Sequence, residues 1–350
     1  MKERKIGFRR AQGIEPPSLG RAREGVKIER RTPTGLRKTR SLPTVIAAMN
    51  EAKKIWVNGE LVDWAEAKVH VGVHALHYGT GVFEGIRCYE TPNGPAVFRL
   101  DDHVQRLHNS ARLLYMEIPY SVDELCEATR GLVRGNGLPS CYIRPIAFYG
   151  YDELSVSPSG SPVETVIMSW PWGAYLGEGS QENGITAKIS SWTRVGSNVI
   201  PHAAKATGIY LNSMLATMEA RRGGYEEAVL VTDEGTIADG PGENVFVVKD
   251  GVIRTPPLST SILPGITRDS VITIAHDLGY VVEETSLIRS DLLLADEVLM
   301  TGTAAEVTPV RAVDDVEIGV GPITRELQDA YRAAVTGLDE RWTAWLQYVA

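Results

Sequence analysis

Ala203-Ala204-Lys205-Ala206-Thr207-Gly208-Ile209-Tyr210 sets one amine among small apolar residues, with no other ionisable group before the tyrosine. Only six lysines follow position 50, which singles this one out. An amine stripped of hydration loses preference for its ammonium form, so its pKa falls. It then becomes a nucleophile able to form a Schiff base with a carbonyl. The same stretch also reads as a surface lysine ahead of a helix, and the rest of the chain has to decide between the two.

The surrounding pattern is that of a mixed α/β chain. Ile55 to Val62 reads as a hairpin, because Asn58-Gly59 supplies the two positive-φ positions of a tight primed turn. Apolar residues at helical spacing predict a helix over 101–115, and a second over 121–134 closed by Gly135 and Gly137. Residues 141–149 then read as a strand. Beyond an aromatic turn-rich stretch at 169–177, strands are expected at 185–191, 228–232, 245–249, 252–254 and 297–300. Helices are expected at 207–222, lined by Leu211, Met214, Leu215 and Met218, and at 268–278. The expected organisation is a small α+β domain over 49–168, a linker over 169–181 and a larger mixed α/β domain over 182–350.

Charge is divided unevenly. Residues 1–48 carry 13 Lys/Arg against 4 Asp/Glu, whereas the other 302 residues carry 23 basic and 40 acidic side chains. The basic arm holds glycines and prolines without periodicity, so disorder is expected there. It lacks the apolar run of a secretion signal, and its glutamates fit a transit peptide poorly. Translation beginning at Met49 is the favoured explanation, to be tested by intact mass. The net charge of −8 gives no reason to expect a nucleic-acid partner. No stretch reaches the roughly 18 apolar residues of a membrane span. Three cysteines without CxxC spacing fit a reducing, cytoplasmic setting.

Eight segments occur in an order that resembles the branched-chain aminotransferases, a pyridoxal-phosphate family of fold type IV. They are His74-Ala-Leu-His-Tyr-Gly79, Val82-Phe-Glu-Gly-Ile-Arg87, Tyr142-Ile-Arg-Pro145, Pro171-Trp-Gly-Ala-Tyr-Leu-Gly177, Ala203-Ala-Lys205, Gly242-Glu-Asn244, Leu263-Pro-Gly-Ile-Thr-Arg-Asp269 and Thr301-Gly-Thr-Ala-Ala-Glu306. The resemblance spans about residues 53 to 315. It implies a two-domain enzyme with its active site in the cleft between a small α+β domain and a larger mixed α/β domain.

By this resemblance Lys205 is the catalytic residue, bonded to the cofactor aldehyde and carrying the proton once freed. Tyr210 faces the cofactor's 3′-oxygen. Ile266, Thr267 and Thr303, completed by Arg106, bind its phosphate, consistent with the pull of a helix N-terminus on anions. Asp239 serves the ring nitrogen, in a place where the family usually has glutamate; nearby Glu243 is assigned a structural task. Tyr142 and Arg144, two apart on one strand face, form a carboxylate site together with the N–H groups of Thr303 and Ala304, Arg144 meeting the second carboxylate of glutamate. Phe83, Tyr78, Trp172, Tyr175, Leu154 and Val156 form the apolar wall. Of these, Tyr78, Leu154 and Val156 reach a neighbouring subunit's pocket, which implies a homodimer at least, with a hexamer left open. His70, His74 and His77 are not expected to bind a metal, because no Asp, Glu or Cys completes a tetrahedral set. The implied reaction moves the amino group of L-leucine, L-isoleucine or L-valine to 2-oxoglutarate. The alternatives are a D-amino-acid aminotransferase or an aminodeoxychorismate lyase of the same fold, against which Tyr142-x-Arg144 and the aromatic linker speak.

Overall fold

The computed structural model describes residues 50–172, 176–177 and 179–350. The readings of residues 1–48 and of Tyr175 therefore lie outside the described residues. Two eight-stranded sheets with helices against them make up the fold. This is the mixed α/β architecture expected.

The first sheet runs in the order Leu346–Tyr348, Ala96–Phe98, Ile86–Tyr89, Cys141–Tyr149, Val163–Trp170, Lys54–Val57, Glu60–Asp63, with Gly81–Phe83 also paired to Cys141–Tyr149. All its pairs are antiparallel. Its opening hairpin turns at Asn58 (φ 48°) and Gly59 (φ 98°), as the Asn-Gly pair dictates. Pro145 offers no N–H from the centre of this sheet, and the neighbouring strand breaks opposite it at Glu84-Gly85. Helices Leu100–Leu113 and Val122–Asn136 cover one face. The second helix is fixed by a Ser121/Glu124 capping box and ends at left-handed Gly137.

The second sheet runs Val282–Glu284, Val252–Thr255, Asn244–Lys249, Glu297–Gly302, Glu306–Val313, Ile185–Thr193, Glu227–Val231, with Val316–Glu317 paired to Glu306–Val313. Its parallel pairs join Ile185–Thr193 to both of its neighbours and Val252–Thr255 to Val282–Glu284. Helix Ile266–Asp277 packs with helix Pro322–Val335 on this sheet. One apolar cluster draws Tyr89, Ala96 and Phe98 from the first sheet together with Phe246, Val248, Leu299, Leu327 and Tyr331 around the second. That shared core joins the two sheets.

Helix Tyr210–Arg222 departs from its expected packing. It buries Ser213, Ala216 and Ala220, while Leu211, Met214 and Met218 stand exposed. Small residues let this helix approach Ile185–Thr193 and Glu227–Val231 closely, so its bulky apolar stripe is turned outward.

Candidate active site

Lys205 is held by its backbone before its side chain does anything. Its N–H donates to Ser110 Oγ at 3.0 Å, and its carbonyl accepts the Phe83 N–H at 3.0 Å. The segment is thereby stitched to a helix and a strand of the first sheet. The amine is not wrapped in apolar residues, as the local sequence implies. Lys205 is half-buried, with Nζ 5.3 Å from the Phe83 ring centre and 5.6 Å from that of Tyr210. Asp239 and Glu243 feel its charge. The surround is aromatic on one side and acidic on the other.

Asp239 is buried and clamped by Arg194. Arg194 Nε donates to Oδ1 at 2.7 Å, Nη2 donates to the same oxygen, and Nη2 also donates to the Gly240 carbonyl at 2.6 Å. Burial pushes the Asp239 carboxyl up to about 6, with the Arg194 guanidinium pulling the other way. Arg194 had no assigned role in the sequence reading. It lies 45 residues from its partner, and no spacing rule reports such a pair. Arg194, Lys205, Tyr210, Asp239 and Glu243 line one cavity, with His202 three residues ahead of the lysine.

Glu243 is also buried, and its carboxylate accepts the Gly242 N–H at 3.0 Å. Burial raises its carboxyl and the Asp239 charge adds to the effect; Glu227 is raised by burial and by Glu243. Acids whose folded pKa lies above the unfolded value bind protons more tightly when folded. Their contribution is therefore most favourable below the ordinary value of 4.5 and is lost as pH rises through the raised one. In cofactor-stripped protein, Glu243→Gln should gain stability relative to the parent as pH climbs from about 4.5 to neutrality. Paired thermal melts across that range check this, and a constant difference would refute it.

Arg106 is buried against Glu84. Nε and Nη2 donate to the two carboxylate oxygens at 2.6 and 2.8 Å, and Nη1 donates to the Pro264 carbonyl at 2.8 Å. Burial would raise the Glu84 carboxyl, but Arg106 and His103 hold it well below the usual range. Pro264 immediately precedes Gly265, the N-cap of helix Ile266–Asp277, which offers no side-chain cap. The guanidinium thus stands at a 12-residue helix N-terminus with buried Ile266 and Thr267 in its first turn. That helix starts two residues earlier than the periodicity indicated. Arg106→Met should cost about 3–5 kcal/mol, because it strands a buried carboxylate. Chemical denaturation measures it, and an unchanged midpoint would contradict the pairing.

The remaining predicted residues divide into two groups. Tyr142 and Arg144 share a face, with Arg144 Nη2 donating to the Tyr142 hydroxyl at 3.2 Å. Tyr142 stacks on Trp172 at 4.5 Å, and Arg144 lies 4.6 Å from the centre of the Phe83 ring. Gly85 makes room for this group: a Cβ there would lie 2.0 Å from the Tyr142 hydroxyl. Phe83 also packs on Tyr210 at 4.8 Å, so one ring joins Arg144 to the lysine. Thr303 and Ala304 form the turn after Glu297–Gly302, and their N–H groups donate to no acceptor among the described residues. Gly302 packs on the Gly242 carbonyl, which brings that turn beside the cavity.

Tyr78, Leu154 and Val156 stay outside this group and are exposed at 44, 48 and 85%. Tyr78 instead lines an open hollow with Tyr115, Tyr149 and the 157–161 segment. His74 bonds Thr80 Oγ1 and the Ser155 carbonyl, and only His74–Tyr78 is helical, so His70 does not share a helix face with His74 and His77.

Residues 81–313 match the family model described as amino-transferase class IV. The branched-chain-amino-acid aminotransferase of Escherichia coli strain K12 is 52% identical over 303 residues, covering 85% of this chain and 98% of that protein. The chain belongs to the class IV aminotransferases, in the branched-chain-amino-acid aminotransferase family. The Escherichia coli family member's crystal structure superposes with a TM-score of 0.84 at 51% identity, covering 86% of this chain and 100% of that one. The T.th. branched-chain amino acid aminotransferase complexed with N-(5′-phosphopyridoxyl)-L-glutamate gives 0.82 at 50% identity, with coverage of 85 and 99%. The aminotransferase fold therefore accounts for the two sheets and the cleft between them. No described helix is long and apolar enough to cross a membrane.

Proposed function

We infer that the protein is a pyridoxal-phosphate-dependent branched-chain-amino-acid aminotransferase, moving the amino group of L-leucine, L-isoleucine or L-valine reversibly to 2-oxoglutarate. The observation that carries the reading is the lysine and the Arg194-clamped Asp239 lining one cavity. The residues fit the cofactor: a primary amine and a buried carboxylate line the cavity. Shortly after the cavity-lining Leu263 the helix Ile266–Asp277 begins, with Arg106 bonded to the Pro264 carbonyl, so that aldehyde, ring nitrogen and phosphate each have a partner. When bound, pyridoxal phosphate supplies the aldehyde and a ring that withdraws electrons from the substrate α-carbon.

The chain's own residues do the rest. Lys205 Nζ, at the cavity wall, takes the proton from the substrate α-carbon and later returns one. Arg194 holds Asp239 ionised and oriented. Arg106, Ile266, Thr267 and Thr303 would hold the phosphate, and Tyr210 would face the cofactor's 3′-oxygen. Tyr142 with the Thr303 and Ala304 N–H groups binds the α-carboxylate. Arg144 answers the second carboxylate of glutamate, while Phe83 and Trp172 face a branched side chain. The Arg144 head lies over an aromatic ring, an arrangement that serves both an apolar and an anionic side chain.

With domains at 49–168 and 182–350 and 169–181 between them, both the phosphate group and the carboxylate group would draw residues from each domain. The exposed Tyr78, Leu154 and Val156, with the outward stripe Leu211, Met214 and Met218, favour a homodimer at least, in which the first three complete the partner's pocket. A cytoplasmic enzyme closing branched-chain amino acid synthesis is the role this assigns. Steady-state rates with leucine, valine, D-alanine and an aromatic amino acid against 2-oxoglutarate test it. Rapid turnover of leucine or valine supports the assignment; D-alanine turnover with inert L-leucine would overturn it.

A further inference from the structure

Glu306 has φ 57°, a left-handed conformation that glycine normally fills. It pairs with Gly302 and closes the turn at 303–305. Asn58, Asp250 and Asp314 share the positive φ but are of the types that tolerate it. Arg99, Tyr115 and Glu306 are not; the first two flank the helix Leu100–Leu113, whereas Glu306 closes a turn and is held there by its side chain.

Two groups from the opposite sheet hold that side chain. The Tyr89 hydroxyl donates to Glu306 Oε1 at 2.8 Å, and Arg87 Nη1 lies 3.6 Å from the same oxygen. Arg87 and Tyr89 are two apart on one strand, hence on one face, with the guanidinium 4.9 Å from the Tyr89 ring centre. Tyr89 is buried, and buried Tyr331 packs beside both it and Thr267. On the turn's other side, the Ala305 carbonyl accepts from Gln181 Nε2 at 2.8 Å and Thr308 Oγ1 at 2.6 Å. The turn is anchored at both ends, leaving the Thr303 and Ala304 N–H groups open.

We propose that Glu306 is a positioning residue for the substrate carboxylate: gripped by Tyr89 and Arg87 across the cleft, it keeps the Thr303 and Ala304 N–H groups aimed at the bound anion. The proposal rests on the carboxylate site inferred above. A strained residue at a functional turn is maintained when its side chain performs a task glycine cannot. The clasp also makes the pose of a turn in the second sheet depend on a strand of the first.

Glu306→Gly separates the backbone role from the side-chain role. Glycine adopts the same φ without strain, so the melting temperature of the holoenzyme should hold or rise. The KM for leucine and the dissociation constant of 4-methylpentanoate, read from the visible spectrum, should rise about tenfold through misplacement of the donors. Tyr89→Phe should reproduce the rise in both constants, and Glu306→Gln should fall between. Should the glycine variant not fold, Tyr89→Phe carries the test. Unchanged constants in Tyr89→Phe, or in a folded Glu306→Gly, would overturn the proposal while leaving the function standing. A parent enzyme that binds no branched carboxylate overturns the inferred site, and the proposal with it.

Discussion

Lys205→Ala is expected to lower leucine–2-oxoglutarate transamination by about ten-thousand-fold or more, since one group supplies both covalent capture and proton transfer. Stability should change little. The contacts that fix this segment run through the Lys205 backbone, to Ser110 Oγ and the Phe83 N–H, and alanine keeps both. The side chain is half-buried and fills no apolar core. What is lost is the cation beside Asp239 and Glu243, so those acids should bind protons more tightly in the variant. Single-turnover rates with a melting curve check both halves. Turnover within tenfold of the parent would remove the lysine from the mechanism.

Asp239 carries the second large effect, and two substitutions resolve it. Asp239→Asn keeps the size and an acceptor for Arg194 but removes the charge, so kcat should fall on the order of 10²–10³-fold, as when a preorganised electrostatic partner is removed. Asp239→Ala goes further by leaving the Arg194 guanidinium, only 4% exposed, without its carboxylate. Stranding a buried charge costs about 3–5 kcal/mol, so this variant should lose stability as well as activity. Asp239→Glu restores the family's usual residue and should stay active. Glu243 is the competing carboxylate. It is engaged by the Gly242 N–H rather than by a guanidinium, and full turnover in Asp239→Asn would transfer the role to it.

The sequence disclosed what depends on near neighbours. Asn58-Gly59 named its turn because two positive φ angles in succession suit few residue types. The strand Cys141–Tyr149 was legible, and with it the shared face of Tyr142 and Arg144, because side-chain direction alternates by geometry. The fold class followed from the order of such elements and from the eight segments that carry the resemblance.

Long-range partnerships were not legible. Arg194 and Asp239 meet because both segments bond to the strand Glu227–Val231, the Arg194 N–H donating to the Val231 carbonyl and the Leu230 N–H to the Asp239 carbonyl, and a single chain gives no spacing for that. Glu84 lies inside one of the eight segments, yet its role depends on Arg106, 22 residues away on a helix. The apolar neighbours of Lys205 in sequence misdescribed its surroundings, because Asp239 and Glu243 arrive from a loop more than 30 positions on. Leu211, Met214 and Met218 read as core by periodicity; small residues at 213, 216 and 220 won the buried side instead. Periodicity reports an apolar stripe but not which surface covers it.

Borohydride reduction of the purified yellow enzyme, followed by peptide mapping, tests the account most directly. A pyridoxyl group fixed on Lys205 alone is the predicted result. Labelling of another lysine, or none while amino-group transfer persists, would contradict it.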